Sequence, residues 1–127
     1  MPCPFCQRLT DGALVAQNAL AAAFLDSYPL NDGHCLIVPR RHEPDFFALT
    51  AEEQAAVWAL ADDVRRNIET ARTPDGYNVG LNVGAAAGQT IAHAHVHVIP
   101  RYQGDVADPR GGVRWIIPER AAYWKMP

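Results

Sequence analysis

Three histidines alternate with small apolar residues in His93-Ala94-His95-Val96-His97-Val98. On an extended strand alternate side chains share a face, so the three imidazoles should project together while Ala94, Val96 and Val98 turn into a core. Such a row suits two kinds of chemistry. The imidazoles can ligate a catalytic zinc that keeps one position open for water, or one ring can attack phosphorus while its neighbours manage charge and protons. The plain alternative is a polar strand face with no chemistry. The neighbourhood favours phosphorus. From Gly76 to Gly104 there is no Asp or Glu, and Arg101 is the one formal charge. A phosphate site excludes carboxylates because like charges repel, whereas a hydrolytic zinc site commonly recruits a carboxylate base. Just upstream, Asn82-Val83-Gly84-Ala85-Ala86-Ala87-Gly88-Gln89-Thr90 offers glycines that let the backbone approach a phosphate, with Asn82, Gln89 and Thr90 as neutral donors.

A second group lies at the other end of the chain. Cys3-Pro4-Phe5-Cys6 belongs to a set of three cysteines, an odd number that excludes a closed disulfide framework and leaves metal binding, redox chemistry or plain reduced thiols. Cys35 follows His34 in a strand-like run and should point into the core.

The elements that must position these residues are short. Ala13 to Gln17, Ala21 to Leu25, Cys35 to Val38, Tyr77 to Val83 and Ile91 to Ile99 read as strands bounded by Gly, Pro, Asn or Asp. Thr50-Ala51-Glu52-Glu53 is a capping box that opens a helix with an apolar stripe of Val57, Leu60, Ala61, Val64 and Ile68. Thr73-Pro74-Asp75-Gly76 ends it. The expectation is an α+β domain: an antiparallel sheet of about five strands, one long helix and a short N-terminal helix. At 127 residues and 13.9 kDa a single domain is expected over 1–127, with a core to 104 and a surface tail over 105–127 that Trp115, Tyr123 and Trp124 anchor.

Composition excludes several classes. With 49% hydrophobic and 20% charged residues the chain is not a disordered one. Its net charge of −3 argues against a nucleic-acid groove binder. The longest apolar run, Ala19 to Leu25, falls far short of the ~20 residues of a membrane span. The expectation is a soluble, cytosolic protein without membrane or nucleic-acid partners. Arg101, Arg110 and Arg114 could form an anion-attracting rim.

His93-Ala94-His95-Val96-His97-Val98-Ile99 resembles the His-φ-His-φ-His-φ-φ signature of the histidine triad (HIT) family of nucleotide hydrolases and transferases. Phe24-Leu25-Asp26 is similar to the family's ribose-binding segment, and Gly33 to His42 to its second signature. Asn82 with Gly88-Gln89-Thr90 is similar to its phosphate loop, and Cys3-Pro4-Phe5-Cys6 to the N-terminus of many members. The resemblance implies a HIT-like fold in a homodimer. It also implies a purine nucleotide substrate of the AMP type: a phosphoramidate, an adenylate or a dinucleoside polyphosphate. In that reading His95 attacks the α-phosphorus to give a nucleotidyl-histidine that water cleaves, its other ring nitrogen donating to a backbone carbonyl. His97 contacts the phosphate, Asn82, Gly88, Gln89 and Thr90 hold its oxygens, and Asp26 binds the ribose. A histidine rather than a glutamine at position 97 favours hydrolysis over transfer to a sugar phosphate. The resemblance further implies a structural zinc held by Cys3, Cys6, His34 and His93, with His42 in a structural role. Two other functions stand beside this one: a nucleotide-binding module with little turnover, and a hydrolase using the triad as ligands of a catalytic zinc.

Overall fold

The computed structural model describes residues 2–127. It begins with a short helix α1 (Pro4–Asp11), which Cys3 caps through its side chain and Pro4 opens. Strands β1 (Ala16–Gln17), β2 (Ala21–Leu25) and β3 (Cys35–Pro39) follow. After these come the long helix α2 (Ala51–Glu69), β4 (Gly76–Leu81), β5 (Val96–Arg101) and a one-turn helix α3 (Pro118–Ala121). The five strands form one fully antiparallel sheet in the order β1-β2-β3-β5-β4. The crossover through α2 carries β4 to the edge, and β5 returns between it and β3.

Helix α2 forms where the sequence places it. Thr50 and Glu53 bond each other's backbone N–H groups at 3.1 and 2.9 Å, and Arg41 holds the Glu53 carboxylate from outside. Packing contributes more than the cap: burying Val57, Leu60, Val64 and Ile68 is worth about 1.5–3 kcal/mol each, against about 1 kcal/mol for an N-cap.

Strand alternation divides the sheet into two faces. Ala21, Ala23, Cys35, Ile37, Val96 and Val98 pack under α2, and Ala94 is 2% exposed beside them. Phe24, Leu36 and Val38 point the other way and pack with Phe5 of α1. His97 is in register with Leu36 on one side and Gly80 on the other. The histidine face is therefore the face that α1 covers.

Three expected strands are shorter than their patterns, the fourth in the chain ending at Leu81 rather than Val83. The first is confined to Ala16–Gln17, although Val15 still donates to Ala23. The last begins at Val96 rather than Ile91, because the backbone of the first two triad residues is engaged elsewhere. The His93 N–H turns back to Ile91, the Ala94 N–H donates to Glu43, and the His93 carbonyl faces the His95 ring. The tail is ordered by its own contacts. Trp124 packs beneath the Arg110 guanidinium, which also pairs with Asp108. Arg114 stacks on Tyr123 and bonds the Ala121 carbonyl, and Trp115 donates to the Arg110 carbonyl. Arg101 is committed to Asp105 and Asn78. The three arginines are thus tied up within the fold and do not form a free anion-attracting rim.

Candidate active site

His95 and His97 line one pocket of ≈ 360 Å³ together with Pro4, Phe5, Arg8, Phe24, Asp26 and Thr90, a volume in the range of small-molecule sites. The two imidazoles are held in opposite tautomers by their neighbours. His95 Nδ1 lies 2.9 Å from the His93 carbonyl oxygen. A carbonyl only accepts, so Nδ1 carries the proton and Nε2 presents a lone pair. For His97 the logic runs through His34. The Leu30 N–H donates to His34 Nδ1 at 3.0 Å, which leaves the His34 proton on Nε2. That nitrogen is 2.9 Å from His97 Nδ1, so His97 accepts there and carries its own proton on Nε2. A lone pair and an N–H donor therefore stand side by side on rings whose centroids are 5.1 Å apart.

Burial favours the neutral forms of His97 and His34. It pushes the His97 pKa down to about 4, with His95 and His34 adding to the effect, and it also lowers His34 despite the nearby Asp26 carboxylate. Unfolded imidazoles titrate near 6.5. Between that value and about 4 the unfolded chain binds more protons than the folded one, so stability falls as pH falls through this window. Urea unfolding midpoints, with chelator present, should therefore decline steadily from pH 7 to pH 4.5; flat midpoints would contradict the assignment. The Glu53 carboxylate, held down to about 2 first by its Arg41 bond, adds a separate loss only below the ordinary carboxylate range.

The other expected site residues divide. Asp26 is half-buried in the same pocket; one of its oxygens accepts from the Tyr28 N–H, and the other lies 3.5 Å from His34. Thr90 is in the pocket wall. Asn82 lines an adjoining pocket that also reaches His97. Gly88 and Gln89 act within the loop itself. Gly88 takes φ +93° and its N–H closes on Ala85. Gln89 accepts from Gly84 and donates to Pro44 and Ile91. In this position Gln89 braces the loop, and its amide is already committed.

Cys3, Cys6 and His93 come together as expected, but the fourth member of the cluster is His42, and His34 is elsewhere. The four donor atoms lie within 4.8 Å of one another. The separations are 3.5 Å from Cys3 Sγ and 3.6 Å from Cys6 Sγ to His93 Nδ1, and 3.3 Å from His42 Nδ1 to both Cys6 Sγ and His93 Nδ1. Zn–N bonds of about 2.0 Å and Zn–S bonds of about 2.3 Å put the edges of a tetrahedral shell at about 3.3–3.8 Å, so this donor set fits zinc. His93 Nε2 is 2.9 Å from the Pro39 carbonyl, which fixes its proton there and frees Nδ1 as a ligand. Antiparallel register excludes His34 from the cluster. Cys35 pairs with Val98, and Ile37 with Val96, so residues preceding Val96 lie beyond the far end of β3. His34 stands at the opposite end, and only a residue after Pro39 reaches the cysteines.

Cys35 is fully buried as expected, with burial pushing its thiol up to about 11, the behaviour of an inert core cysteine. The His34–His97 contact is the feature of the candidate site that the residue pattern does not disclose by itself.

Comparison with known proteins agrees with this geometry. Residues 7–104 match the HIT domain family. The chain is 43% identical over 96 residues to an AP-4-A phosphorylase of Mycobacterium tuberculosis, a match covering 75% of this chain and 49% of that protein. It is 36% identical over 92 residues to a bis(5′-nucleosyl)-tetraphosphatase (asymmetrical) of Schizosaccharomyces pombe, covering 72% and 50%. The chain thus spans about half the length of these two relatives. Among solved structures, a zinc-bound histidine triad family protein from Mycobacterium smegmatis superposes with a TM-score of 0.75 at 31% identity, over 85% of this chain and 81% of that one.

Proposed function

The chain belongs to the HIT domain family, and on that premise we propose that it hydrolyses conjugates of AMP-type nucleotides at the α-phosphorus through a covalent nucleotidyl-His95 intermediate. The observation that carries this reading is the pair of opposite tautomers at His95 and His97, set by the His93 carbonyl and by His34. The names of the two relatives point to the same class of phosphoanhydride substrates.

The chemistry divides among the residues as follows. The His95 Nε2 lone pair forms a bond to phosphorus, and the bond from phosphorus to the leaving group breaks with its electron pair going to that group. Water then displaces the imidazole, its proton passing to solvent, and the nucleoside monophosphate leaves. Splitting one hard displacement into two easier ones is the gain from a covalent nucleophile. His97 is kept neutral by burial, so it serves as a fixed N–H donor to the phosphoryl group, a preorganised stabiliser of the developing charge. Asp26 accepts from the ribose hydroxyls. Thr90 and Asn82 supply donors from either side of His97.

The group held by Cys3, Cys6, His42 and His93 is read as a structural zinc: four protein ligands leave no open position for water. The reading includes a two-fold homodimer. The free edge of β4, with Val79, Val113 and Ile116 exposed beside it, is a surface that a second copy would cover.

The deciding experiment mixes the protein with an adenosine phosphoramidate, quenches in alkali within one turnover, and reads the intact mass. Addition of one adenylyl group, mapped to the peptide carrying His95, is the expected result. Product release without any adduct across the time course would remove the covalent mechanism, and binding with neither adduct nor product would make the protein a nucleotide-binding module.

A further inference from the structure

The pocket contains one cation, and nothing in the hydrolytic reading uses it. Arg8 projects from α1, and its guanidinium carbon sits 4.4 Å from the centroid of the Phe24 ring. Two of its N–H groups are fixed to the fold, one to Ser27 Oγ at 3.0 Å and one to the Leu25 carbonyl at 2.9 Å. An arginine has five N–H donors and no acceptor. Among the described residues the remaining three have no protein acceptor, and Arg8 has no carboxylate partner.

Its place along the pocket follows from the rings that separate it from the reacting centre. His95 packs against Phe5 with centroids 5.0 Å apart, Phe5 against Phe24 at 5.6 Å, and Arg8 covers Phe24. Arg8 therefore ends the row that begins at the nucleophile. With the α-phosphate at His95 and the ribose at Asp26, what remains for that end is the base, between the apolar walls of Phe5, Phe24 and Ile91 and the polar rim of Arg8 and Ser27.

We propose that Arg8 is a specificity-determining residue that reads the base and favours 6-oxopurine nucleotides, those of guanine and hypoxanthine, over adenine nucleotides. The inference rests on the nucleotide-hydrolase reading, keeps its site and chemistry, and replaces adenine with a 6-oxopurine as the preferred base. A guanidinium presents donors only. The edge of a 6-oxopurine offers two acceptors, O6 and N7, which match a bidentate arginine, whereas adenine places an amino donor where O6 would be. Because Ser27 and Leu25 already hold the side chain in place, little ordering is required when the base arrives. Arg8 makes its ring contact with Phe24, and Phe24 and Phe5 link it to His95.

The test compares AMP, IMP and GMP phosphoramidates as substrates, and the three free monophosphates by calorimetry. The wild-type protein should favour IMP and GMP over AMP by about tenfold in kcat/KM and in Kd, a discrimination of the size expected for one good bidentate contact. IMP belongs in the panel because it lacks the guanine 2-amino group, so equal preference for IMP and GMP assigns the effect to O6 and N7. Arg8→Leu should bring all three within about twofold of one another. Equal or better use of AMP by the wild-type protein overturns the proposal without reference to any variant, and so does a preference that survives in Arg8→Leu. Formation of the His95 adduct with all three substrates keeps the outcome for Arg8 separate from that for the hydrolytic mechanism.

Discussion

Replacement of His95 by alanine is expected to lower release of nucleoside monophosphate by at least about a thousandfold and to abolish the covalent adduct, since among the pocket-lining side chains it alone presents an unprotonated imidazole nitrogen. The alternatives in the pocket are already assigned by their partners. His97 has its Nδ1 engaged by His34 and its Nε2 protonated, and the Asp26 oxygens face the Tyr28 N–H and His34. Thr90 is a hydroxyl in the wall that, among the described residues, is not hydrogen-bonded to any base. His97→Ala should cost less, about 100- to 1,000-fold, because it removes one preorganised donor and leaves the nucleophile in place. The ranking matters more than either value. Steady-state turnover of an adenosine phosphoramidate by both variants, with circular dichroism confirming that each is folded, measures it. A His95→Ala protein within tenfold of wild type would mean that the bond to phosphorus is made elsewhere.

The parts of this arrangement that were legible in the residues are those set by local rules. The capping box announced α2 to the residue, because its two side-chain bonds are fixed by a spacing of three. The alternation of the triad placed Ala94, Val96 and Val98 in the core correctly, at 2%, 0% and 1% exposure. It also put the histidines on the opposite side, even though the strand proper begins only at Val96. Periodicity reports which face a side chain takes, and says nothing about which end of a neighbouring strand it will meet. The resemblance therefore implies His34 as the fourth ligand, whereas the fold brings His42 to Cys3, Cys6 and His93. Both flank the same strand, and the choice depends on β5 running antiparallel to β3 with Ile37 opposite Val96. A glutamine in a glycine-rich loop likewise reads as a phosphate donor until the Pro44 and Ile91 carbonyls are seen within reach of its amide. Long-range pairing, absent from any local pattern, accounts for both.

The same register underlies the second large effect. If His42 completes the cluster, His42→Ala and Cys6→Ser should each lose the bound zinc, whereas His34→Ala should keep one zinc per chain while losing activity. A ligand that binds only the folded state at a thousandfold excess over its Kd adds about 4 kcal/mol, which for a domain of this size raises the melting temperature by on the order of 10 °C. That rise should be present in the wild-type protein and in His34→Ala, and absent from His42→Ala and Cys6→Ser. The consequence should reach the pocket as well. Cys3 caps α1 and Cys6 lies in its first turn, Pro4, Phe5 and Arg8 on the same helix line the pocket, and the His93 carbonyl holds the His95 ring. Removing the metal should therefore weaken AMP binding and increase hydrogen exchange in residues 4–11, and by linkage AMP should tighten zinc binding by the same factor. Elemental analysis of the three variants decides the ligand assignment independently of activity. One zinc per chain in His42→Ala would restore His34 to consideration and would contradict the strand register from which His42 was assigned.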